Sequence, residues 1–324
     1  MNELVSLKMC CYNHEKYIKD AIESVLAQTY DNIEILICDD FSTDRTWEII
    51  QSYIPVLQKR FRRVVVFQNS RNLGVCVSLN KLIAEIKSPI IFSLAGDDMM
   101  AKTYVEDIMH VVEKYPEVSV FVSDGYKVEE HVKYSELDAF ALTPFYKQTP
   151  DFSIDTLFER LYWHNVIFAP GVTLKKEIYD KFGLYDPDIF IEDLEFWLRI
   201  TRTKETKFLY IDKPLAFYRQ SPNSVTSTVK NEHYLERSLR FMDASEKIID
   251  KYGPYVGKDE YIRRKWAFLL DKRTFYKIDI PKEETKFLRD TLYPFIKENW
   301  HTLGWKQLVR YYHMYFNALR NRKS

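Results

Sequence analysis

Three acidic pairs stand where carboxylates can do chemistry. Asp97-Asp98 follows the apolar run Pro89 to Leu94 and Gly96, so both carboxylates fall at a strand end. Adjacent carboxylates there suit a hard divalent cation, Mn²⁺ or Mg²⁺, which takes one or two of them and completes its shell with water and phosphate oxygens. The same Gly-Asp-Asp is also ordinary turn chemistry. Asp39-Asp40 ends a second run, Ile33 to Cys38, and Ser42-Thr43-Asp44 then opens a helix with an N-cap and a first-turn acid. Capping explains the later residues but not two consecutive carboxylates, which could hold a nucleotide base or ribose. Glu192-Asp193 opens a further helix. Phe190-Ile191 and Phe196-Trp197 around it would partly desolvate a carboxylate and raise its pKa towards that of a general base. The competing account is that these acids complement the helix dipole.

The elements that must position these residues are legible in the first half. Strand patterns at Val5–Cys10, Ile33–Cys38, Val64–Phe67 and Pro89–Leu94 alternate with helical patterns at His14–Gln28, from Ser42 towards Leu57, and at Val75–Ile86. A helix to about Tyr115 and a strand at Val118–Val122 follow. Such alternation implies an α/β domain with a mostly parallel sheet covered by helices, in which ligands bind at the carboxyl ends of the strands. Residues 124–150 read as loop, 153–163 and 174–182 as helices, Glu192–Arg202 as a helix, and Lys207–Ile211 and Leu215–Arg219 as two short strands. From Val229 onward the pattern is helical.

Composition narrows the class. Only 8 of 324 residues are glycine, and neither a G-x-G-x-x-G nor a P-loop occurs. No His/Cys spacing suits zinc, and no G-x-S-x-G or Cys/His signature suggests covalent catalysis. Lys+Arg and Asp+Glu both total 47, yet residues 258–324 hold 16 basic against 8 acidic side chains. An acidic body with a basic tail points to an anionic partner for the tail. From Trp305 to Arg320 apolar residues at 305, 308, 312, 316 and 319 oppose basic and polar ones, an amphipathic helix that fits an anionic membrane surface or a dimer seam equally well. No run is long enough to cross a membrane. Four cysteines without C-x-x-C, and no secretory signal, give the expectation of a reduced cytoplasmic protein, peripheral at the inner membrane face if the tail binds lipid.

Taken in order, the motifs resemble the inverting family 2 glycosyltransferases of GT-A fold, of the type that builds bacterial surface polysaccharide. The resemblance runs from Val5 to about Ser227. It rests on Tyr12-Asn13 with Tyr17-Ile18, Ser24 to Tyr30, Asp39 to Thr46, Asn72-Leu73-Gly74 with Asn80, Gly96-Asp97-Asp98, Glu192-Asp193 with Phe196 to Arg199, and Tyr218-Arg219. It implies a GT-A domain over 1–228, with a nucleotide-binding part to about 123 and an acceptor part over 124–228, and a helical extension over 229–324. It implies a UDP-sugar donor, a saccharide acceptor that is often lipid-linked, and no nucleic-acid partner. Residue by residue it implies that Asp40 contacts uracil in a pocket lined by Cys11, Tyr12 and Asn13. Asp98 would hold the cation on the diphosphate, with Asp97 at the ribose or the metal. Asp193 would be the catalytic base, supported by Glu192. Trp163, His164 and Trp197 are candidates for the acceptor site. Many relatives have Asp where this chain has Ala95, and His where it has Ser221, so Arg219 is expected to carry more of the diphosphate contact. Two other readings stay open on the residues: a nucleotidyltransferase on a related sheet, and a non-catalytic carbohydrate-binding or scaffold protein.

Overall fold

In the computed structural model, residues 3–139, 142–146, 148–221 and 234–274 are described, with Lys286, Asp290 and Thr291. The chain divides into two units, Met1–Tyr234 and Leu235–Ser324.

The first unit opens with β1 (Val5–Cys11), α1 (Ile18–Leu26), β2 (Ile33–Asp39), α2 (Thr46–Arg60), β3 (Arg63–Gln68), α3 (Val75–Glu85) and β4 (Ile90–Ala95). These four strands pair in parallel, β3-β2-β1-β4, with Cys10 opposite Cys38 and Ala95, and Cys11 opposite Asp39. All of β2 is buried, as expected of parallel strands covered on both faces. Val5, Leu7, Met9 and Cys11 alternate onto one face. There they join Ile33, Ile35, Ile37, Phe92 and Leu94 in the main core, with Ile18, Ile22, Ile50 and Ile108. The opposite face is polar for a buried one: Ser6 donates to Glu34, which also pairs with Arg63 at 2.8 Å, and Lys8 is buried beside them in sequence.

The chain continues through β5 (Met99–Met100), α4 (Tyr104–Lys114), β6 (Val120–Glu129), β7 (Thr143–Pro144), α5 (Leu157–Trp163), β8 (Val172–Lys175), α6 (Glu177–Phe182), α7 (Glu192–Thr201) and β9 (Phe208–Gln220). The full order is β3-β2-β1-β4-β8-β6-β9-β5, with β7 on β6. Beyond β4 the pairing is mixed: β8 is antiparallel to both β4 and β6, while β6 and β9 are parallel.

Three local readings are corrected here. The expected loop from 124 begins inside β6, because Asp124-Gly125 forms a bulge that stays paired with β9 rather than a turn. The expected helix over 174–182 starts as β8, recruited by its neighbours β4 and β6, and only Glu177–Phe182 is helical. The two short strands near 207–219 are one, since the Pro214 irregularity leaves the ladder to β6 intact.

In the second unit α8 (Tyr234–Tyr252) and α9 (Lys258–Thr274) are described. Lys265 pairs with Glu246 and Asp250 across these helices, at 3.0 and 2.7 Å. The amphipathic stretch Trp305–Arg320 lies outside the described residues. Among the described residues no helix is long and apolar enough to cross a membrane.

Candidate active site

The parallel order β2-β1-β4 brings Asp39-Asp40 and Asp97-Asp98 to the carboxyl end of β1, and Glu192 at the start of α7 interacts electrostatically with Cys10 there. Asp39 pairs in register with Cys11, Asp40 N donates to Cys11 O at 2.8 Å, and Gly96 N donates to Cys10 O at 3.1 Å. The Cys10 thiol interacts electrostatically with both Asp40 and Glu192, and that of Cys11 with Asp39 and Asp97. Burial pushes both thiols well above the ordinary cysteine value, so they are inert lining.

Two loops are laced together beneath this point. Asn13, in the left-handed region at φ 54°, donates its N–H to Ser42 Oγ at 2.9 Å and accepts the Thr43 N–H on Oδ1 at 2.8 Å. Asp44, just ahead of α2, accepts the Glu15 N–H and, in a local turn, the Thr46 N–H at 2.9 Å; the expected Ser42 or Thr43 N-cap is not formed, since the helix begins at Thr46 behind Arg45. Asp39 is buried as the anchor of this turn, accepting from Ser42 N and Gln68 Nε2. Phe41 is held at φ 62° and Tyr12 beside the loop is also exposed, so two aromatic rings border the rim. An aromatic residue at positive φ is a strained choice, found where a site over-determines the backbone.

Asp40 is buried and accepts three hydrogen bonds: Asn69 Nδ2 and Leu73 N on Oδ1 at 2.8 and 2.9 Å, and Gly74 N on Oδ2 at 2.8 Å. Gly74 can face the carboxylate because its φ of +85° is open to glycine. A carboxylate has about four acceptor positions, so one remains for the uracil contact expected of Asp40.

Asp97 and Asp98 occupy the tight turn from β4 to β5. Gly96 is obligatory there: a Cβ would meet His14 Nδ1 at 2.6 Å and Cys11 Sγ at 2.8 Å. Asp98 is buried, and Oδ1 accepts the Arg219 backbone N–H at 3.0 Å. Burial, then the Asp97 charge, holds its carboxyl well above the usual range, opposed by Arg219. A buried carboxylate raised by a like neighbour is one that a cation would neutralise. Among the described residues no group of three or more His, Cys, Asp and Glu side chains gathers as a metal site. Two adjacent carboxylates are the kind of partial donor set that Mn²⁺ or Mg²⁺ takes when substrate phosphate and water complete the shell.

Arg219 corrects its expected role. It is 1% exposed, and its guanidinium donates to Asp97 O at 2.9 Å, to the carbonyls of Glu130 and Val132 at 2.7 and 2.5 Å, and to Asp20 Oδ2 at 3.1 Å. It is a buried strut that clamps the Asp97-Asp98 turn to α1 and to the segment that follows β6, not an open diphosphate clamp.

At the start of α7, Asp193 Oδ1 accepts the Leu194 N–H and Oδ2 accepts Asn165 Nδ2, both at 2.7 Å. Burial raises its pKa and these donors restrain it. Glu192 is pushed up to about 8, first by burial and then by the Asp193 charge, with Lys8 opposing. Glu195 is buried in an i,i+4 pair with Arg199, which also donates to the carbonyls of Phe182 and Leu184, so it serves the fold. Of the acceptor candidates, His164 is exposed and adjoins Asn165, and Trp163 is half-buried. Trp197 is corrected: it is buried between Phe196 and Phe208 and offers no face for a sugar. Sequence reasoning missed Lys8, His14, Asn69 and Asn165; only the buried lysine in an otherwise apolar strand left a visible signal.

Comparison with known proteins decides the class. The profile described as Glycosyl transferase family 2 matches residues 6–183. The chain belongs to this family. It is a glycosyltransferase of GT-A fold, which sets aside the nucleotidyltransferase and scaffold readings. It is 28% identical to UDP-Glc:alpha-D-GlcNAc-diphosphoundecaprenol beta-1,3-glucosyltransferase WfaP of Escherichia coli, over 69% of this chain and 80% of that one. In fold it resembles S. aureus TarS 1-349 in complex with UDP-GlcNAc, with a TM-score of 0.59 and 16% identity over 91% of this chain and 81% of that one. It spans 49% of the longer TarS chain. It also resembles the mannosyltransferase PcManGT from Pyrobaculum calidifontis in complex with GDP-Man and Mn²⁺, with a TM-score of 0.52 and 12% identity over 98% and 88% of the two chains.

Proposed function

We propose that this glycosyltransferase is metal-dependent and inverting, and moves a hexosyl or N-acetylhexosaminyl group from a UDP-sugar to a lipid-linked saccharide in bacterial surface polysaccharide (capsule or O-antigen) assembly. The observation that carries this is the gathering of Asp40, Asp97-Asp98 and Glu192-Asp193 around the end of β1. The WfaP name, with its UDP-Glc donor and diphosphoundecaprenol acceptor, supports the substrate class, and the UDP-GlcNAc and Mn²⁺ of the fold neighbours support donor and metal.

Cys11, Tyr12, Asn13 and the free acceptor position of Asp40 border the base. Asp97 and Asp98 would hold the cation, which would supply charge neutralisation at the diphosphate. Arg219 fixes their turn from behind. Asp193 Oδ2, oriented by Asn165, takes the proton of the acceptor hydroxyl as that oxygen attacks the anomeric carbon in line. No enzyme-bound covalent intermediate is needed. The basic tail would bring the enzyme to an anionic leaflet, making it a peripheral protein of the cytoplasmic face; the helices could instead form a dimer seam.

The test separates two carboxylates of similar size. Asp98→Ala should abolish both Mn²⁺-dependent UDP binding and UDP release from UDP-sugars. Asp193→Asn should keep calorimetric UDP/Mn²⁺ affinity near wild type while transfer falls by ~10²–10⁴-fold. Near-normal transfer by Asp193→Asn would make that residue a helix cap only.

A further inference from the structure

Asn69 has no place in the mechanism above, yet every polar atom of its side chain is engaged. It follows β3, where its N–H donates to Asp39 O at 2.9 Å one residue past the Asp39–Gln68 pair, and it is 2% exposed. Its Nδ2 donates to Asp40 Oδ1 and to Ser78 Oγ, both at 2.8 Å, and its Oδ1 accepts from the Lys81 ammonium at 2.7 Å. The amide has one possible orientation. A carboxylate only accepts and an ammonium only donates, so Nδ2 must face Asp40 and Oδ1 must face Lys81. Ser78 and Lys81 both stand on α3. Ser78 is buried, whereas Lys81 is exposed and its Nζ lies 5.7 Å from the centre of the Phe67 ring.

These contacts decide how Asp40 meets a ligand. Its Oδ1 takes two donors, Asn69 Nδ2 and Leu73 N, and is full; its Oδ2 takes one, Gly74 N, and keeps one position. Leu73 and Gly74 hold the carboxylate from the loop that enters α3, and Asn69 holds it from the end of β3. Turning Oδ1 outward would leave a buried donor unpaired. The position left on Oδ2 is an acceptor. It suits a base with a hydrogen on the ring nitrogen it meets, as uracil has on N3. Cytosine carries a lone pair on N3 and would set acceptor against acceptor.

We propose that Asn69, locked by Lys81 and Ser78, is a positioning residue that fixes Asp40 as an acceptor-only reader of the nucleotide base and so selects a uridine nucleotide over a cytidine one. That a nucleotide base sits at Asp40 rests on the proposed function; the hydrogen-bonded relay from Lys81 through Asn69 to Asp40 does not.

The test is calorimetric binding of UDP and of CDP to the full chain at saturating Mn²⁺. The two nucleotides share ribose, diphosphate and cation, so the ratio of their affinities isolates the base. The wild type should bind UDP about tenfold or more tightly than CDP, the size of one hydrogen bond to a charged group. Asn69→Asp keeps the shape but sets a second carboxylate against Asp40, and two carboxylates so close share a proton. Asp40 then offers an O–H to cytosine, and the ratio should fall to within about twofold of unity. A role in folding alone would weaken both nucleotides equally, so an unchanged ratio in folded Asn69→Asp overturns the proposal. Should Asn69→Asp not fold, the exposed Lys81 decides. Lys81→Met removes one hydrogen bond of the relay and should lower the ratio by about threefold or more; an unchanged ratio there overturns the proposal. UDP release from UDP-glucose and UDP-N-acetylglucosamine is measured beside the binding. A wild type that prefers UDP but releases none from either sugar nucleotide leaves the relay standing and counts against the proposed function alone. A wild type that releases UDP but binds CDP as tightly overturns the relay alone.

Discussion

Replacing Glu192 with glutamine should change how stability depends on pH, with a sign fixed by the direction of its shift. Its carboxyl titrates near 8 in the fold, against 4.5 as the ordinary value. The folded protein therefore binds more protons than the unfolded chain between those two values. Stability from this group is fully present below about 4.5 and is lost as pH rises through about 8. At 1.36 kcal/mol per unit the full difference is about 5 kcal/mol. Part of that belongs to the shared titration with Asp193. About 2 kcal/mol is the expected net contribution, equivalent to roughly 4–8 °C in melting midpoint for a body of this size. Glutamine keeps the shape and cannot ionise. Circular-dichroism melts of the two proteins should coincide near pH 5 and diverge as pH rises, with Glu192→Gln melting higher at pH 8 by that amount. Taking the difference between the two proteins cancels titrating groups that do not interact with Glu192, Asp98 among them. A difference that stays constant from pH 5 to 8.5 would refute the reasoning.

Two further perturbations probe the turn that carries Asp97 and Asp98. Arg219→Met removes the donors to Asp97, Glu130, Val132 and Asp20 and leaves the Asp20 carboxylate without its cation; thermal unfolding should show a loss of about 3–5 kcal/mol. Arg219→Lys should restore little of it, because an ammonium cannot reproduce the planar fork. Gly96→Ala places a methyl group against His14 Nδ1 and Cys11 Sγ, costs about 1–3 kcal/mol by overpacking, and should weaken calorimetric UDP/Mn²⁺ binding by displacing the turn. Unchanged affinity in Gly96→Ala would separate the turn from the diphosphate site.

The sequence by itself determined the first half of the fold and the three acidic pairs. Val5, Leu7 and Met9 alternate on β1, and runs such as Ile33–Cys38 are short, β-branched and followed by helical spacing. These local periodicities survive because parallel strands buried on both faces leave few other arrangements. Consecutive carboxylates at strand ends stand out for the same reason, since a core cannot use them. Tertiary structure alone decided the rest. β8 is four residues long and exists because β4 and β6 flank it, a pairing between distant segments that no local pattern encodes. Asp124-Gly125 has turn chemistry but lies in a bulge held by β9. Arg219 was expected at the diphosphate because Ser221 stands where many relatives carry His; the acceptors that bury it instead come from residues 20, 97, 130 and 132. Trp197 looked like a sugar platform, and Phe196 and Phe208 enclose it. Residue type states what a side chain can do, whereas the partners that engage it are brought by chain segments up to two hundred residues away, and only folding assembles them.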